Sequence, residues 1–170
     1  MVNRSLAAQH LGIIGVNDEW ATPKRIFQDA CDKYMVRPTL DVAATAKNTM
    51  CTVFYDKQSN GLLQPWNQDF FCNPPYSQVS KWVARAFDQY LQHGVTGMLL
   101  IYAKTDTKWW HRFIEDRAEV HFIKGRIEFI KSNSLKRNAA PYPSCWVIYR
   151  KNTIRNEKLN KPNELSGCVP

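Results

Sequence analysis

The sequence predicts a single α/β domain built on a mostly parallel β-sheet with an antiparallel end. Helical periodicity alternates with short apolar runs early in the chain, while strand-like segments follow one another late. A length of 170 residues suits one core and is too short for two of ordinary size. An apolar content of 44% against 22% charged residues is that of an ordinary globular chain.

Each element has its own signal. Thr22-Pro23 reads as a helix N-cap followed by proline at the first helical position, with Ile26, Phe27, Ala30 and Tyr34 on one face of the helix that follows. Residues 39–43, Thr-Leu-Asp-Val-Ala, form a short apolar run ending in small residues, as a buried strand would. A second strand over 69–72 is stopped by Asn73-Pro74-Pro75-Tyr76, because consecutive prolines cannot donate to a ladder. Val79, Trp82, Val83, Ala86, Phe87, Tyr90 and Leu91 then recur at helical spacing, and His93-Gly94 closes that helix. Residues 95–103 read as a fully buried strand, 105–114 as a helix capped by Thr105 or Asp106, and 119–123, 126–130 and 144–149 as strands. The first fifteen or so residues (1–16) and the polar tail 151–170 look peripheral to a core spanning about 18–150.

Lysine and arginine exceed aspartate and glutamate, 23 against 15, for a net charge of +8. This excess favours a polyanionic partner, since each neutralised phosphate releases counterions, although a merely basic surface carries the same excess. The scattered, odd-numbered cysteines (Cys31, Cys51, Cys72, Cys145, Cys168) form no C-x-x-C and no zinc-ligand spacing, so reduced thiols and no metal are expected. No apolar run approaches the roughly 20 residues that span a bilayer, and no signal peptide stands at the N-terminus, which predicts a cytoplasmic protein without a membrane partner.

The segment with the most chemistry is Phe70-Phe71-Cys72-Asn73-Pro74-Pro75-Tyr76. It places a rigid polar turn at a strand's C-terminal end, where open α/β sheets bind ligands. An arylamine is a poor nucleophile until its N–H groups are held by acceptors. The Asn73 side-chain oxygen and the Pro74 carbonyl can hold such an NH2 with its lone pair aimed at an electrophile, and the two prolines preorganise that geometry. Tyr76 offers a flat face to a base. An ordinary proline turn after a strand is the plainer alternative.

Taken with other ordered blocks, this turn resembles the phage-type DNA N6-adenine methyltransferases, a branch of the Dam-like enzymes. The blocks are Trp20-Ala21-Thr22-Pro23-Lys24, Leu40-Asp41-Val42-Ala43-Ala44, Gly61-Leu62 with Trp66, Asn73-Pro74-Pro75-Tyr76, Lys104-Thr105-Asp106-Thr107 with Trp109-Trp110, Gly125-Arg126, and Ala139-Ala140-Pro141-Tyr142-Pro143-Ser144. The resemblance covers residues 18–150. It implies the class I methyltransferase fold, a Rossmann-like sheet flanked by helices, and S-adenosylmethionine as methyl donor. It implies Asn73, Pro74, Pro75 and Tyr76 as the catalytic set and double-stranded DNA as partner.

Carried onto this chain, Trp20, Thr22 and Pro23 resemble the motif that closes over the methionine end of the cofactor, where helix N–H groups suit a carboxylate. Asp41 matches the acid that faces the cofactor's ammonium, although it could equally cap a turn. The glycine-rich loop usual after that acid is replaced here by Val42-Ala43-Ala44-Thr45-Ala46, whose small residues, Ala43 among them, still permit close approach. Asp56 is the candidate for the ribose hydroxyls, with a solvated surface aspartate as the alternative.

Lys104, Thr105 and Asp106 would meet a flipped nucleotide or its phosphate. Arg126 and the 131–138 loop, with Lys136 and Arg137, are the further candidates for DNA contact, against a simple solvated face. Trp109 and Trp110 fit the core better than a stacking platform. Only about thirty residues separate Asp41 from Asn73, too few for a recognition domain, so recognition falls to the segment after Tyr76. RNA or a protein amide as substrate, and a basic nucleic-acid-binding protein without catalysis, are the rival expectations.

Overall fold

The computed structural model describes residues 20–131 and 137–151. Lys136, Cys168, the 1–16 segment and all but the first residue of the 151–170 tail lie outside the described residues. In chain order the elements are β1 (Trp20–Ala21), α1 (Lys24–Tyr34), β2 (Leu40–Asp41), β3 (Val53–Phe54), β4 (Phe70–Cys72), α2 (Val79–His93), β5 (Gly97–Tyr102), α3 (Lys108–Phe113), β6 (Glu119–Phe122), β7 (Glu128–Lys131), β8 (Arg137–Ala139) and β9 (Ser144–Tyr149).

Six strands form the main sheet in the order β3-β2-β4-β5-β9-β6. The first four run parallel, and β9 runs antiparallel to both β5 and β6. The expected parallel sheet with an antiparallel end is therefore present. Every residue of β5 and of β9 is buried, which is why both segments read as unbroken apolar runs rather than alternating ones.

The two faces of the sheet are covered differently. Phe70, Cys72, Leu99, Ile101 and Val147 pack against Trp82, Val83 and Ala86 of α2 and Trp110 of α3. The opposite face, with Phe71, Met98, Leu100 and Ile148, packs against Phe27, Ala30 and Cys31 of α1. On that same face lies an element absent from the sequence expectation, a second sheet of order β1-β7-β8. Phe129 of β7 and the preceding Ile127 join the core there, and β1 joins the sheet through Trp20↔Lys131 and Ala21↔Ile130. Part of the segment expected as a loop at 131–138 is thus strand β8, with Arg137 paired to Ile130.

Three local expectations change. Pro23, not Thr22, holds the cap position of α1, with φ −62 and ψ 129, and no side chain caps the helix. The proline's φ is helical but its ψ is extended, so the helix starts one residue later and Thr22 is turned inward, to 4% exposure. Helix α3 begins after Thr107 rather than at Thr105 or Asp106. The Thr107 hydroxyl donates back to the Lys104 carbonyl at 2.8 Å and closes the intervening turn. Leu91, at a periodic position of α2, is exposed. The helix otherwise ends as read, with Gly94 in the left-handed conformation at φ 63.

Cys31, Cys51, Cys72 and Cys145 are free thiols, and burial pushes Cys31 up to about 11 and Cys145 up to about 12, which keeps both protonated. Trp110 is buried in the core and Trp109, partly buried, packs against it.

Gly61 explains one of the sequence blocks. It is buried, and a Cβ there would run into the Val42 carbonyl and the Trp82 indole. Its own carbonyl accepts the Trp66 indole N–H at 2.8 Å. Backbone presses on backbone directly after Asp41, so the collision cannot relax by a rotamer change. Gly61→Ala should therefore cost about 1–3 kcal/mol, measured as a lower midpoint in chemical denaturation; an unshifted midpoint would show that this approach is looser than described.

Candidate active site

Parallel pairing of β2 with β4 aligns Asp41 with Phe71. Because side chains alternate along a strand, Asp41, Phe71 and Asn73 share a face at the C-terminal edge. A shallow cleft, open to solvent, lies there, lined by Ala21, Thr22, Asp41, Ala43, Ala44, Asn48, Phe71 and Asn73.

Asp41 is 2% exposed. Its carboxylate accepts from the Met50 N–H at 3.0 Å and the Ala43 N–H at 3.4 Å, so it shapes the loop and faces the cleft at once. Burial pushes it up to about 6, and the Met50 and Ala43 bonds oppose that rise only in part. A cation arriving in the cleft would restore its charge. The loop beyond is closed by Asn48, whose side-chain oxygen accepts from the Thr45 N–H at 2.6 Å and its hydroxyl at 2.9 Å. The small side chains of Ala43 and Ala44 keep the cleft open beside it.

Across the cleft, the Thr22 hydroxyl is buried and finds no hydrogen-bond partner among the described residues. Two residues on, α1 begins with no side-chain cap and no acid in its first turn. A hydroxyl and an uncapped helix start suit a carboxylate. A buried acid opposite them suits an ammonium, so the donor set fits the amino-acid end of an S-adenosylmethionine-type cofactor.

The catalytic-turn candidates follow β4 without a break. Pro74 is buried, Asn73 and Pro75 are half-buried, and Tyr76 opens a 3-10 turn, Tyr76–Gln78, that leads into α2. The Tyr76 ring does not stand free for a base on both faces. It stacks on Tyr102, the last residue of β5, with ring centroids 3.8 Å apart and planes 8° from parallel. It also meets the edge of Phe129 from the second sheet. Burial, reinforced by the neighbouring Tyr102, holds the Tyr76 phenol well above its ordinary range.

Comparison with known proteins decides the family. The profile of the DNA N-6-adenine-methyltransferases (Dam) matches residues 13–164, nearly the whole chain. This chain belongs to the Dam family. It is 32% identical over 120 residues to a DNA N-6-adenine-methyltransferase of Haemophilus phage HP1 (strain HP1c1), covering 69% of each protein. It is 30% identical over 126 residues to a DNA N-6-adenine-methyltransferase of Escherichia phage T1, covering 72% of this chain and 52% of that one. The chain thus spans about half the length of the T1 relative.

In this Dam-family chain the structure brings Thr22, Asp41, Ala43 and Asn73 together around one cleft. Trp20 lies beside them in sequence, its backbone paired in β1, and Pro23 starts α1. Asp56 is not brought in. Its carboxylate accepts from the Ser59 N–H at 2.8 Å and hydroxyl at 2.9 Å, closing a surface turn after β3, and those bonds hold it below its usual range. Lys104 is half-buried at the end of β5, with Thr105 and Asp106 exposed beyond it. Arg126 is exposed next to Gly125, which adopts φ 82.

Sequence reasoning missed Ala44, Asn48 and Phe71 as cleft residues and Tyr102 as the partner of Tyr76. The Thr45/Asn48 spacing of a side-chain-closed turn was the one available signal for Asn48. Among the described residues no helix is long and apolar enough to cross a membrane.

The raised Asp41 carboxyl sets a pH dependence. The unfolded chain releases this proton near 3.8 and the folded protein near 6. Stability from this group is therefore full below about 3.8 and is lost as pH rises through about 6, at about 1.4 kcal/mol per unit of pKa displacement. Between pH 4 and 6 the ligand-free protein should lose stability with rising pH relative to Asp41→Asn, as measured by denaturation at each pH. Parallel curves for the two proteins would place the Asp41 carboxyl in water.

Proposed function

We propose that this chain transfers a methyl group from S-adenosylmethionine to the N6 amine of adenine in double-stranded DNA. Membership in the Dam family supports the reaction class. The single structural observation that carries it is the convergence of Asp41, Thr22 and Asn73 on one cleft at the sheet's C-terminal edge.

Asp41 holds the ammonium of the donor, and Thr22 with the start of α1 holds its carboxylate. A methionine end held in this way would lie in the cleft that Phe71 and Asn73 also line. When bound, the cofactor supplies a methyl group already activated by its sulfonium, so no covalent protein intermediate is needed. The chain's own task is the nucleophile. The Asn73 side-chain oxygen and the Pro74 carbonyl accept the two N–H bonds of the target amine and rotate its lone pair out of conjugation with the ring. Pro74 and Pro75 fix the turn before substrate arrives, so little reorganisation remains at the moment of transfer.

An adenine inside a duplex cannot reach this turn, so the target nucleotide is extruded. The ring of Tyr76, held by Tyr102 on one face, receives the base on the face that remains. Lys104 and Arg126 supply positive charge toward the DNA backbone, and the sequence adds Lys136 and Arg137 to it.

Incubating duplex DNA with labelled S-adenosylmethionine and identifying the modified nucleoside tests this function. N6-methyladenine in duplex DNA is the expected product. Label appearing in RNA or protein alone, or none at all, would refute the substrate assignment. Asn73→Ala should lower turnover by at least about a hundredfold, in line with loss of one transition-state-directed acceptor, while the thermal unfolding curve stays at the wild-type position. Turnover near that of the wild type in this variant would remove Asn73 from the catalytic role.

A further inference from the structure

Beyond the catalytic turn, the aromatic stack at the C-terminal edge of β5 extends one ring past the residues used in the reaction just described. Tyr102 stacks on Tyr76 with one face and meets Tyr142 at 5.5 Å between centroids, tilted by 53°. Tyr142 is 49% exposed although it is a large aromatic residue. It sits between Pro141 and Pro143, in the segment that leaves the second sheet and enters β9. The Pro143 carbonyl accepts the Ala103 N–H at 2.9 Å, which ties this segment to the end of β5. The Lys104 ammonium lies 4.6 Å from the centroid of the Tyr142 ring.

Two prolines and a backbone bond thus hold an aromatic ring out in water, with a cation at its face, one ring beyond the catalytic stack. A half-exposed tyrosine with a lysine beside it matches a nucleotide, which offers a flat π face and an adjoining phosphate. The chain's net charge of +8 agrees with a polyanionic occupant.

We infer that Tyr142 and Lys104 form a second nucleotide subsite, which takes the base and phosphate adjacent to the target adenine on the same strand. This rests on the DNA methyl-transfer function proposed above. With the target base against Tyr76, the next nucleotide of the strand passes over Tyr102 and reaches Tyr142. Its base stacks there, and Lys104 meets the intervening phosphate. The subsite holds the strand open beside the extruded base and is indifferent to base identity, since every base has a π face. It therefore acts on DNA affinity and not on the chemistry of the amine.

The test pairs a protein change with a DNA change, on a duplex that the wild-type enzyme methylates. Tyr142→Ala should raise KM for DNA at least about fivefold, with kcat and S-adenosylmethionine affinity within twofold of wild type. Tyr142→Phe should restore KM, and Lys104→Gln should flatten the salt dependence of DNA binding by about 0.9 in logarithmic slope. An abasic nucleotide beside the target should weaken wild-type binding as much as Tyr142→Ala does, and should cost the alanine variant nothing more. Independent, additive losses from the protein and DNA changes, or an unchanged KM in Tyr142→Ala, would overturn the subsite while leaving the methyl transfer intact. A fall in kcat without a change in KM would also overturn it, by assigning Tyr142 to the catalytic turn. A wild-type enzyme that methylates no duplex would overturn both proposals together.

Discussion

The structure turns on the parallel pairing of two very short strands. Leu40 faces Phe70 and Asp41 faces Phe71 across β2 and β4, and the Val42 N–H donates to the Phe71 carbonyl at 3.0 Å just beyond. This register brings an acid and an amide, more than thirty residues apart in sequence, to the same edge and the same face. A slip of one residue would send one of them into the opposite core. Much of the surrounding packing protects the register. Phe70 is fully buried and meets the Trp66 ring edge-on at 4.9 Å, while Gly61 lets the following turn press onto Val42 without a side chain between.

The second sheet gives this edge its other wall. Strand β1 is only two residues long, yet it runs directly into Thr22 and the start of α1. Its partner β7 carries Phe129, which touches Tyr76, and pairs antiparallel with β8. The same three-stranded unit therefore borders the cleft through Ala21, next to Thr22, and meets Tyr76 through Phe129.

Much of this was legible in the residues, for reasons that differ from element to element. Helix α2 was plain because an apolar stripe repeated over fifteen residues has no competing interpretation. Strands β5 and β9 were plain because burial on both faces leaves a continuous apolar run. Strands β1 and β3 were not found, since two residues cannot display a period. The second sheet was missed because alternation reveals a strand but not the sheet it joins. Thr22-Pro23 signalled a cap and a binding motif equally, and only the extended ψ of Pro23 separated them. For Asp56 the sequence left a ribose contact and a surface aspartate side by side, and no local pattern shows that Ser59, three residues on, donates to its carboxylate. The stack of Tyr76 on Tyr102 joins residues whose contact no local pattern encodes.

The central claim is that one edge of the sheet presents the methyl donor and the target amine to each other between Asp41 and Asn73. The most direct measurement is a crystal structure of the protein with S-adenosylhomocysteine and a duplex containing the methylated sequence. The account predicts the ligand's ammonium on the Asp41 carboxylate and its carboxylate at Thr22. It further predicts an extruded adenine whose N6 lies within hydrogen-bond distance of the Asn73 side-chain oxygen and the Pro74 carbonyl. A ligand whose amino-acid end lies away from Asp41 and Thr22, or an adenine whose amine is held by other residues, would contradict it.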